Sequence, residues 1–67
     1  MERNNIRFYR ENAGMTREAV AEKSGCTLTQ IFDFENGYES PTLSETEAIA
    51  NVFGVTVADL TRDERAG

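Results

Sequence analysis

The sequence predicts an all-α fold of five short helices, and three observations carry it. Gly14, Gly25, Gly37, Pro41 and Gly54 divide the chain into intervals that suit only helices of about 7 to 11 residues. Inside those intervals apolar residues recur three and four positions apart, and nowhere does an apolar/polar alternation mark a strand. The one β-branched cluster, Val55, Thr56 and Val57, is short and falls where a helix begins.

The elements follow in order. Helix 1 is expected from about Asn5 to Ala13, because Ile6, Tyr9 and Ala13 share one face while Arg7, Arg10 and Glu11 lie off it. Gly14 ends it. Thr16 is an N-cap residue, and helix 2 to Ser24 places Val20, Ala21 and Ser24 together, with Arg17, Glu18, Glu22 and Lys23 around the other side. Gly25 suits the position after a helix that needs positive φ, and Thr27-x-x-Gln30 is a capping box opening helix 3, which runs to about Glu35 before Asn36-Gly37. After Pro41 a second box, Thr42-x-x-Glu45, opens helix 4, whose Leu43, Ile49, Ala50 and Phe53 should look inward. Gly54 stops it. Thr56 with Asp59 caps a last short turn through Leu60, and residues 61–67 read as a charged, frayed tail. One domain is expected over residues 1–67, ordered from about 5 to 60.

The chain has 67 residues and a net charge of -5. That length allows one thin core. With Cys26 the single cysteine and no histidine present, an intramolecular disulfide, the usual zinc sets and imidazole-based catalysis are excluded, so no enzyme, no metal and no cofactor is expected. No apolar run approaches a membrane span, and the first residues lack the apolar stretch of a secretion signal, so a cytoplasmic protein without a membrane partner is expected. The acidic balance argues against a partner held by bulk charge.

Residues Thr16 to Glu35 have helix-turn-helix spacing: two nearly equal helices separated by a short turn containing Gly25. The residues go further. Ile6-Arg7-x-x-Arg10, Gly14-Met15-Thr16, Ala21-Glu22-Lys23-x-Gly25, Ile31, Phe34-Glu35-Asn36-Gly37, Ser40-Pro41-Thr42-Leu43 and Ile49-Ala50-x-x-Phe53-Gly54-Val55 together resemble the phage repressor and Cro family of helix-turn-helix proteins, over about residues 6 to 60. The resemblance implies that helix 3 enters the major groove of operator DNA while helix 2 crosses the phosphate backbone, and that two copies bind two half-sites as a homodimer. It places the DNA-contacting positions at Arg17, Leu28, Thr29, Gln30, Phe32 and Asp33, and it pairs Arg10 with Glu35 across helices 1 and 3.

The chemistry of those positions is divided. Arg17 suits a phosphate or a guanine edge, Gln30 an adenine, and Thr29 a thymine methyl or a phosphate, whereas Leu28 and Phe32 donate nothing and Asp33 repels phosphate unless it accepts from cytosine. Gln30 has a competing task, since a capping-box Gln folds back to the Thr27 amide. Arg17 begins a helix, where a cation opposes the macrodipole and hints at an external anion. Residues 14 to 43 hold Arg17 and Lys23 against Glu18, Glu22, Asp33, Glu35 and Glu39, a local balance of -3. Arg3, Arg7 and Arg10 against Glu2 and Glu11 leave the first helix slightly basic.

The alternative expectation is therefore a domain diverted to protein binding, an antirepressor or antiactivator that docks a second regulator through Leu28, Phe32 and Tyr38. Leu28 and Phe32 lie four apart on helix 3 beside the inward line of Ile31 and Phe34, so at least one should be exposed, and an apolar patch on a small protein usually marks a contact. Phe8 is a candidate extension of that patch. Cys26 is expected to fill a small apolar pocket in the turn. Thr46 and Glu47 stand where relatives carry a large aliphatic residue, and suggest a thinner core or a polar face there.

Overall fold

Threonine caps open the second, third and fourth helices, and glycines in the left-handed conformation close them. The computed structural model describes residues 5 to 61, and among them five helices and no strand: α1 (Ile6–Asn12), α2 (Arg17–Ser24), α3 (Leu28–Asn36), α4 (Leu43–Phe53) and α5 (Val57–Thr61). The hydroxyls of Thr16, Thr27 and Thr42 each accept the amide three residues on. At α3 and α4 the Gln30 and Glu45 side chains return to the cap amides, completing both capping boxes. The turn between α2 and α3 depends on Gly25, whose φ of 82° lies in the left-handed region that a side chain would make costly. Glu2, Arg3 and the charged tail from Arg62 to Gly67 lie outside the described residues.

Asn5 closes the fold. Its side chain makes no cap on α1; instead Nδ2 donates to the Asp59 carbonyl and its backbone amide to the Leu60 carbonyl, both at 2.8 Å. Two carbonyls of α5 are thus bonded from the residue that precedes α1.

The helices enclose one core of Ile6, Val20, Ala21, Ile31, Phe34, Ile49, Ala50 and Leu60, with Tyr9, Met15, Cys26, Phe53 and Val55 packed around it. Each large side chain contributes roughly 1.5 to 3 kcal/mol by leaving water. α2 packs on both α3 and α4, and α1 touches α3 and α4, so the α2–turn–α3 unit is backed on its inner side and free on its outer one.

Two inward assignments differ from the sequence pattern, and one open position is decided. Leu43 is exposed: it is the first residue of α4, and helix side chains lean toward the N-terminus, which here carries it past the end of the core. Ala13 is also exposed, because it caps α1 after the last helical residue. Thr46, for which the sequence leaves a thinner core or a polar face open, is buried, and its hydroxyl donates to the Thr42 carbonyl at 2.8 Å. A threonine has nearly the shape of valine, so it fills the aliphatic position once its one polar group is satisfied within its own helix.

Candidate functional site

The site is organised around one carboxylate. Glu35 sits in the last turn of α3, and its side chain reaches back to the two helices before it. Arg10 of α1 donates from Nε to Oε2 at 2.6 Å and from Nη2 to Oε1 at 3.3 Å. Its remaining nitrogen, Nη1, donates to the Met15 carbonyl at 3.1 Å, so the guanidinium also holds the α1–α2 turn. Arg17, the first residue of α2, donates from Nε to Glu35 Oε1 at 3.0 Å. Side-chain exposure grades these three: 1% for Glu35, 11% for Arg10 and 34% for Arg17. Arg10 is thus the enclosed partner and Arg17 the one facing outward.

The Glu35 hydrogen bond is the chief cause that raises the Arg10 guanidinium above the ordinary arginine range, with burial opposing it. For a cation whose pKa rises on folding, the stabilisation is complete below the unfolded value and is lost only as pH climbs through the folded one. That window lies far above neutrality, so Arg10 stays charged under all ordinary conditions.

The pairing of Arg17 with Glu35 was not legible in the sequence. The one hint is that a cation in the first turn of a helix opposes the macrodipole, so a nearby anion relieves it, and the sequence alone points to an external one. The structure supplies Glu35 from within the chain.

Beyond its hydrogen bond, the Arg17 guanidinium carbon lies 5.5 Å from the centroid of the Phe32 ring, within cation–π range. Arg17, Leu28, Thr29 and Phe32 line one open cleft of about 520 Å³ together with Arg10, Thr16 and Glu18. Four of the six positions named for DNA contact therefore come together. Gln30 and Asp33 are not on that cleft. The Gln30 carboxamide is engaged at both ends, Oε1 accepting from the Thr27 amide at 2.9 Å and Nε2 donating to Glu45 Oε2 at 3.2 Å. Thr29 is exposed and Asp33 half-buried.

The apolar residues beside the cleft are wet. Leu28 is 45% exposed, Phe32 43% and Tyr38 74%, and the Phe32 and Tyr38 rings stand 6.2 Å apart. Phe8 is exposed as well. It meets Tyr9 edge to face at 5.2 Å, and Tyr9 stacks on Phe53 at 6.2 Å. Cys26 is half-buried against the core. Among the described residues no cluster of three His, Cys, Asp or Glu could hold a metal ion, and no helix is long and apolar enough to cross a membrane.

Comparison with known proteins bears on the family and the fold. The helix-turn-helix family pattern matches residues 6–60. An uncharacterised helix-turn-helix-type transcriptional regulator of Methanocaldococcus jannaschii is 33% identical over 58 residues, covering 87% of this chain and 88% of its own length. A second, from Archaeoglobus fulgidus, is 38% identical over 58 residues, covering 87% of this chain and 83% of its own. Among solved structures, a hypothetical transcription factor from Neisseria superposes with a TM-score of 0.85 at 27% identity, covering 92% of this chain and 71% of that one.

Proposed function

We propose that this chain, which belongs to the repressor/Cro-type helix-turn-helix family of transcriptional regulators and is not an enzyme, acts in the cytoplasm by laying α3 in the major groove of operator DNA. In this reading α2 crosses the phosphate backbone and a second copy occupies the neighbouring half-site, since one short helix makes too few contacts for specific binding. The observation that carries it is the convergence of Arg17, Leu28, Thr29 and Phe32 on one open cleft. The set combines a charged donor and a hydroxyl with apolar groups suited to thymine methyls.

Binding should be weak in its electrostatic part, because α2 and α3 hold only Arg17 and Lys23 as cations and Arg17 is already paired with Glu35. The test is a salt titration of binding to the DNA upstream of the protein's own reading frame. A shallow slope is expected, about -0.9 in log–log terms for each phosphate neutralised. No binding at any salt would reject it.

A second reading is favoured by a separate observation, the exposure of Leu28, Phe32 and Tyr38 beside acidic Asp33 and Glu39. There α3 docks another regulator instead of DNA. A domain that binds no duplex but forms a salt-sensitive complex with a basic partner protein would support it.

A further inference from the structure

Resting on the DNA-binding reading above, we propose that Glu35 and the Phe32 ring are positioning residues for Arg17. They hold its guanidinium so that Nη1 and Nη2 present a fixed two-donor fork to a pair of adjacent acceptors on DNA, as on a guanine edge or a phosphate.

Three features of the site support this. The Arg17 Nε is committed to Glu35 Oε1 at 3.0 Å, and among the described residues its two Nη groups have no hydrogen-bond partner. A guanidinium recognises paired acceptors with parallel N–H groups, so consuming Nε alone leaves a complete fork. The anchor is itself immobile, since Glu35 is almost wholly buried and Arg10 grips both of its oxygens. The Phe32 ring under the guanidinium restricts the remaining freedom of the plane. A surface arginine ordinarily loses side-chain entropy when it binds, and here much of that ordering precedes the ligand. This arrangement also gives the exposed Phe32 ring a use that needs no protein partner: its wet position is where the guanidinium lies.

The test uses the full chain and a random-sequence duplex library spanning two half-sites, with the most enriched duplex then titrated against variants. Arg17→Ala is expected to weaken binding about ten- to hundredfold. If the fork reads guanine, the loss falls on one G·C pair; if it grips a phosphate, all duplexes weaken alike and the salt slope drops by about one. Phe32→Leu should cost about two- to fivefold, Phe32→Tyr should restore the wild-type value, and the Phe32→Leu cost should vanish in the Arg17→Ala background. An equal cost with and without Arg17 would mean that Phe32 meets DNA by itself, and would overturn the proposal.

The free protein supplies an independent readout. The Arg17 Nε–Hε resonance should exchange slowly with solvent and carry a ring-current shift that Phe32→Leu removes. If that resonance behaves as an exposed arginine, the positioning role fails whatever the DNA results. If the resonance is held but the library yields no enriched duplex, the DNA-binding reading fails, and with it the fork's ligand.

Discussion

Arg10 and Glu35 are joined by two hydrogen bonds, at 2.6 and 3.3 Å, that tie α1 to the last turn of α3 across 25 residues of sequence. The pair holds the inner end of the helix-turn-helix against the first helix. Glu35→Ala would leave Arg10 enclosed without its anion, and should lower unfolding stability by about 3 kcal/mol. Arg17→Ala removes the partner that faces solvent and should cost less than about 1 kcal/mol. Denaturant melts of the two variants test the grading, and equal losses would contradict it.

The capping boxes make a separable contribution. Thr42→Ala removes the acceptor for the Glu45 amide and should cost about 1 kcal/mol. Thr27→Ala should cost a similar amount, and it also detaches the Gln30 amide from its hydroxyl partner. The two sites open different helices, so the double variant should lose nearly the sum. Thermal unfolding followed by circular dichroism measures all three.

Gly25→Ala isolates a conformational effect. Nothing lies within 4 Å of the Cβ that alanine would add, so no steric contact with a neighbour is involved, and the penalty comes from φ at 82° alone. About 1 to 2 kcal/mol of destabilisation is expected. Gly25→Asn should recover part of it, because asparagine visits that region more readily. If alanine proved neutral, the turn must relax out of the left-handed conformation.

Thr46→Val should stabilise the domain by about 0.5 to 1 kcal/mol. The Thr42 carbonyl that accepts the Thr46 hydroxyl also accepts the Thr46 amide at 2.9 Å, so replacing the hydroxyl with a methyl leaves no buried acceptor unpaired. An upward shift of the melting temperature checks this. A fall would mean that the hydroxyl bond outweighs the burial of a methyl.

These cases also mark how far the sequence could be read. The cap residues Thr16, Thr27 and Thr42 and the glycines at 25, 37 and 54 act through neighbours three to five residues away, so the helix boundaries were legible to within a residue or two. Leu43 and Ala13 lie outside the core because helical periodicity says which residues share a face but not how far the core extends along it. Arg10 with Glu35 came through the family resemblance. Arg17 with Glu35 did not, because an ion pair between helices leaves no periodic trace. Gln30 was poised between two roles, and the structure finds its side chain inside the capping box and bonded to Glu45.

The pair of 2.8 Å bonds from Asn5 to the carbonyls of Asp59 and Leu60 turns a linear chain into a buckled loop. Both bonds start on one residue, so they share any load and break together. Tension applied across residues 5 and 61 would meet this buckle before it reached Ile31 or Phe34, and opening it would loosen the junction of α1 and α5 while Ile6 and Leu60 stay packed in the shared core. The mechanical weak point of the domain then lies at the junction of its first and last helices, away from the cleft, and the α2–α3 unit would be the last part to feel the pull.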